Sequence, residues 1–189
     1  MSKMRRCRIV LVLLGAFATA SMATPAMDTV VREVMATDSL RSHTFGLLAR
    51  GQVAEAIDYW ALTTGKEIPA WLVAFRTSFD TSKQIAGACQ GVAQNIHTAF
   101  TRLGGKPEFV QLTTESSAEA NLGYMMFKLA NGGDVSLSHT GYHVLVRMQG
   151  RAYDAYTGAA GMPWTEYVGR VGTHAPLIEK VVETTVRAR

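Results

Sequence analysis

The chain has 189 residues, a formal net charge of +4 and 48% hydrophobic residues. This is the composition of one globular domain with a real core, not of a disordered or fibrous chain. Four of the 19 basic residues (Lys3, Arg5, Arg6, Arg8) and none of the 15 acidic ones lie in the first 23 positions.

That opening stretch reads as a secretory signal peptide, residues 1–23. A basic start is followed by an apolar run from Ile9 to Ala20 and a small-x-small site. Cleavage is expected after Ala23, with Ala20 as the second choice. The apolar run is short for a bilayer span, and no cysteine follows it to carry a lipid, so no stable membrane anchor is expected after cleavage. The mature chain would hold 15 basic and 15 acidic residues. The basic pI of the full sequence therefore belongs to the leader, and nucleic acid is not an expected partner. The expected location is the periplasm or the outside of the cell.

Residues 24–79 read as a helical N-terminal region. Asp28 opens a helix running to about Leu48, broken at Gly51. Val53, Ala56, Ile57 and Trp60 then recur on one helical face, and Gly65 ends that segment. Pro69 starts a third helix with Trp71, Leu72, Phe75 and Phe79 turned inward. Residues 80–189 form the second region. Cys89, Val92, Ala93, Ile96, Phe100 and Leu103 give a helix stopped by Gly104-Gly105. "EFVQLTT" reads as a strand, "SAEANLGYMMFKLA" as a helix and "NGGD" as a turn. "VSLSHTGYHVLVRM", "RAYDAY" and "WTEYVGRV" read as β-like, the last with room for a short further element. Helices followed by a β-meander give an α+β class.

Cys89 is alone once Cys7 leaves with the leader, so it forms no internal disulfide. It is open to an intermolecular bridge, to being a buried structural thiol in register with Val92 and Ile96, or to being a reactive one. Gly87-Ala88 permit a sharp turn into the helix. A thiol in the first helical turn is drawn toward thiolate, and unpaired amides there can receive an oxyanion. Gln84 could add a side-chain donor, or be a solvated loop residue.

A thiolate needs a base, and the base an orienting group. Of five histidines, His97 is rotated about 80° from Cys89 on the same helix and is expected to be exposed. His43 lies in a polar helical stretch and His174 in a terminal loop. Only His143 starts a continuous apolar strand. With a two-residue turn at Gln149-Gly150, Met148 pairs with Arg151, Leu145 faces Asp154 and His143 faces Tyr156. Asp154 and His143 are then diagonal neighbours on one face. A three-residue turn would put Asp154 on the other face. The turn requires φ > 0 at Gln149. Taken singly, His143 also reads as a sheet histidine and Asp154 as a strand-end residue capping a turn. His139 and His143 share an H-x3-H spacing, but on strand-like sequence it does not make a metal pair, and no cofactor motif occurs.

"GACQGVA", "GYHVLVRMQGRAYDAYTG" and "GMPWTEYVGRV" together resemble the papain-like-fold toxins of bacterial polymorphic toxin and effector systems, over roughly residues 80–172. The resemblance implies a papain-like (thiol protease/transglutaminase-like) core, with Cys89 as nucleophile, His143 as general base and acid, and Asp154 as orienting group. Gln90 follows the cysteine where papain peptidases usually carry an aromatic residue, and Asp154 stands where they carry asparagine. The activities implied are therefore those of a cysteine protease or glutamine deamidase, with transferase chemistry beside them. A protein or peptide substrate and a cognate immunity or inhibitor protein would follow. A periplasmic cell-wall amidase would use similar chemistry. A non-enzymatic interaction domain would leave the three residues apart.

Overall fold

The structure is a computed structural model that describes residues 25–114 and 124–185, with side chains from residue 35 onward. The signal-peptide expectation lies outside the described residues. No described helix is long and apolar enough to cross a membrane. The described chain is α+β, as its sequence order of elements leads one to expect.

Three helices come first: α1 (Pro25–Ala49), α2 (Val53–Thr64) and α3 (Ala70–Thr77). Gly65 closes α2 in the left-handed conformation at φ 61° and returns its amide to Ala61. A 3-10 turn at Thr81–Lys83 leads to α4 (Cys89–Arg102). The helical spacing of α4 buries Val92, Ala93, Ile96, Ala99 and Phe100. Edge-to-face ring contacts tie the layers together: Phe75 of α3 meets Phe100 of α4 at 5.3 Å, and Phe100 meets Tyr153 at 5.0 Å.

The strands are β1 (Glu108–Thr114), β2 (Met125–Lys128), β3 (Asp134–Ser138), β4 (Tyr142–Met148), β5 (Arg151–Tyr153), β6 (Met162–Pro163), β7 (Val171–Thr173) and β8 (Leu177–Val182). They form a five-stranded antiparallel sheet in the order β6-β5-β4-β1-β8 and a three-stranded sheet β3-β2-β7. One face of the large sheet, with Phe109, Val144, Val146, Met148 and Tyr153, packs on the helices. The other face, with Val110, Leu112, Leu145 and Ala152, packs on Met125, Phe127 and Leu137 of the small sheet and on Tyr167. β4 is thus covered on both sides, which explains its unbroken apolar run; a half-exposed strand would alternate.

Three readings are corrected. The expected helix through "SAEANLGYMMFKLA" falls partly outside the described residues, and its described end is β2. There Met125 and Phe127 are buried while Met126 and Lys128 are exposed, the period of a strand. "WTEYVGRV" is not a strand throughout: Trp164–Arg170 is a short helix, α5, and only Val171 begins β7. "RAYDAY" pairs over Arg151–Tyr153 alone, so Tyr156 does not face His143 across the ladder.

Candidate active site

The β4–β5 hairpin has the two-residue turn. Met148 pairs with Arg151, Arg147 with Ala152 and Val146 with Tyr153. Gln149 (φ 50°) and Gly150 (φ 74°) both take positive φ, as the turn demands of its two central residues. This register carries His143 and Asp154 to one face. His143 Nε2 lies 3.2 Å from Asp154 Oδ2, and both residues are 2% exposed.

Asp154 also does what a strand-end aspartate does. Its Oδ1 accepts the backbone amides of Tyr156 (2.8 Å) and Thr157 (3.1 Å), forming an Asx turn. One oxygen caps the turn and the other meets the imidazole, so the turn fixes the carboxylate's orientation. Burial opposes a charged His143, but Asp154 and Cys89 outweigh it and push the imidazole up to about 9.

The second ring nitrogen of His143, Nδ1, is buried and makes no hydrogen bond among the described residues. The imidazole also interacts with Cys89, a free, partly buried cysteine that opens α4. The thiol and the imidazole attract one another. Burial works against the thiolate; the His143 side chain and the amides of Val144 and Gln90 outweigh it and hold the thiol below its ordinary value.

Ala88 caps α4 without a side-chain hydrogen bond. A Ser, Thr or Asp there would stabilise the helix by about 1 kcal/mol. With no side-chain cap, the first-turn amides lack a helical partner, and that of Gln90 interacts with the sulfur. Next to Cys89 lies an open cleft of about 360 Å³. Ala86, Gly87 and Gln90 line it beside the thiol, with Ser138, His139, Thr140 and Tyr142 opposite. A cleft of about 340 Å³ over the small sheet, around Met126 and Arg170, holds no thiol.

The remaining candidates fall outside this arrangement. Gln84 directs its Nε2 to the carbonyl of Ala155 at 2.9 Å. It ties the loop before Cys89 to the loop after Asp154, so it is neither a solvated residue nor a donor aimed freely into the cleft. His97 is not exposed as its angle suggested: it is half-buried, stacked on Phe109 at 4.0 Å. His43 lies against Tyr59 with ring centroids 4.1 Å apart and the planes tilted, and His139 is exposed at the cleft rim near Tyr124.

One residue escaped the reading of the sequence. Tyr167 of α5 is fully buried, and its hydroxyl lies 2.5 Å from Asp154 Oδ2 and 3.2 Å from His143 Nε2. Burial, then the Asp154 charge, raise this phenol well above its ordinary range, so it stays protonated. α5 has only seven residues, too few for a helical period to mark Tyr167 as inward-facing. Nothing local marks where it points. Tyr156 lies on the Asp154 turn, its hydroxyl donated to the carbonyl of Ser136 at 3.0 Å. Burial, then the charges of Asp154 and Cys89, push it up to about 12.

No family model, no curated protein and no solved structure matches the chain.

Proposed function

We propose that this protein is a thiol hydrolase of papain-like arrangement, acting on amide bonds through Cys89, His143 and Asp154. The observation that supports it is the division of labour on one buried imidazole. Nε2 meets Asp154, while Nδ1 has no hydrogen bond among the described residues and is left for the thiol at an uncapped helix start.

The Cys89 thiolate attacks the amide carbon, forming a C–S bond and an oxyanion that the first amides of α4 receive. The His143 imidazolium gives its Nδ1 proton to the departing nitrogen, the C–N bond breaks and a thioester remains. Neutral Nδ1 then takes a proton from water, whose oxygen attacks the thioester. The C–S bond breaks, releasing a carboxylic acid and restoring the thiolate–imidazolium pair. Asp154 keeps its proton count throughout and orients the ring.

The substrate is a protein or peptide, and the reaction is cleavage of a peptide bond or deamidation of a glutamine side chain. The signal-like start fits a protein exported to the periplasm or beyond as a toxin or effector, with a cognate immunity protein as partner. The deciding experiment is the rate of Cys89 alkylation by iodoacetamide against pH, in the wild type and in His143→Ala. High reactivity below pH 7 that the variant loses supports the reading. A Cys89 that titrates near ~8.5 in both proteins ends it.

A further inference from the structure

We propose that Tyr167 is a positioning residue of this site, its hydroxyl selecting the Nε2–H form of His143 and so presenting Nδ1 to Cys89. This rests on the thiol-hydrolase reading.

Three groups meet at one point. The Tyr167 hydroxyl has a single proton and lies 2.5 Å from Asp154 Oδ2, the nearer of its two partners. A phenol donates to a carboxylate rather than the reverse, and such charge-assisted bonds are the short ones. With that proton directed to Oδ2, the Tyr167 oxygen turns a lone pair toward His143. Nε2 then stands 3.2 Å from the oxygens of both Tyr167 and Asp154, two acceptors. A bare Nε2 would set three lone pairs against one another in a buried space. An Nε2–H satisfies both oxygens. The proton is thereby held at Nε2, and Nδ1 is free to exchange a proton with the thiol. Asp154 alone gives one acceptor for this choice; Tyr167 adds the second and spreads the charge on Oδ2.

The ring is held independently of its hydroxyl. Phe127 lies 5.1 Å from it and Trp164 stacks at 6.1 Å. Trp164 in turn lies beneath the Arg147 guanidinium at 5.0 Å. The same α5 turn is braced by Arg170 on Glu166 at 2.7 Å. A phenylalanine at 167 keeps all of these. Among described residues, the titratable groups acting on this phenol are Asp154, Tyr156 and Cys89, besides His143 itself.

The test is iodoacetamide alkylation of the full chain from pH 5 to 10, in wild type and Tyr167→Phe. The expected result is a loss of about tenfold below pH 7 in the variant, the scale of one hydrogen bond to a charged group. At pH 10 the two rates should coincide, because a thiol is ionised there without help. A uniform change at every pH, or an unchanged profile, overturns the proposal, since a merely structural role predicts one of these. A wild type that is itself unreactive below pH 7 removes the parent reading, which a failure of Tyr167 alone leaves standing. A second measurement needs no variant. Above pH 10, where the ring is neutral, the imidazole ¹⁵N resonances of wild-type His143 should report Nε2–H; an Nδ1–H ring overturns the proposal.

Discussion

Asp154 divides its carboxylate between two tasks, with Oδ1 on the amides of Tyr156 and Thr157 and Oδ2 3.2 Å from His143 Nε2. A buried imidazole is thereby tied to a turn eleven residues further on. The expected behaviour of the site follows from this link.

The first consequence is a pH profile with two separate limbs. Cys89 is held below the usual thiol range, so its alkylation should fall only as pH drops through that lowered value. His143 is pushed up to about 9. Amide hydrolysis should therefore also decline as pH rises through about 9, where the leaving nitrogen loses its proton donor. Alkylation, which needs no donor, should not decline there. Stopped-flow alkylation and a turnover assay on the same protein would separate the limbs.

Asp154→Asn keeps the shape and removes the charge. Burial then acts on His143 without its main counterweight, and the ring loses its proton at lower pH. Reactivity of Cys89 at pH 6 should fall at least tenfold, toward that of a thiol near ~8.5. Stability should fall by roughly 3–5 kcal/mol, the cost of removing one partner from a buried pair. The sign with pH is set by His143, whose folded value lies above its unfolded one. Its stabilising contribution is complete below ~6.5 and lost as pH rises through about 9. The gap between wild type and variant in urea unfolding should therefore narrow from pH 6.5 to 9. A gap that widens instead would contradict the assignment.

Gln149→Asn addresses the turn. Gln149 carries φ 50°, which an L-residue other than Asn, Asp or Gly adopts at some cost. Asn-Gly is the favoured pair for this turn. The substitution should stabilise by about 0.5 kcal/mol, raising Tm by about 1–2 °C, without changing the Cys89 profile.

Gly161→Ala tests the approach to α5. A Cβ there would sit 2.7 Å from the Tyr153 ring and 2.9 Å from the Ala152 carbonyl, at φ +64°. Backbone and ring must both move, and the cost should reach about 1–3 kcal/mol. Thermal unfolding of the variant should begin several degrees lower. Because β6 leads directly into α5, Cys89 reactivity below pH 7 should drop as well.

Gln84→Ala separates a tether from a catalytic donor. Losing the bond to Ala155 should cost about 1 kcal/mol. The midpoint of Cys89 alkylation should stay in place, because Gln84 is not among the groups that set it. A turnover rate reduced a hundredfold at constant stability would instead place the side chain at the oxyanion.

Several features were legible in the chain itself because they depend on neighbours in sequence. The spacing from Cys89 to Phe100 determined a helix and put the thiol in its first turn. A two-residue turn at Gln149-Gly150 was readable as the arrangement that puts His143 and Asp154 on one face, and the structure chose it over the three-residue turn that would have parted them. Elsewhere local signals were too short or pointed the wrong way. Met125–Lys128 shows its two-residue alternation for only four positions, beside helix-forming alanine, glutamate and leucine, and pairing on both sides with β3 and β7 made it a strand. α5 has only seven residues, below the length at which helical period is distinct. Tertiary packing alone decided that His97 turns onto Phe109, that Gln84 reaches Ala155 and that Tyr167 meets Asp154. These pairs are brought together by apolar faces closing around the large sheet, and burial then obliges each polar group to find the partner that packing has left within reach.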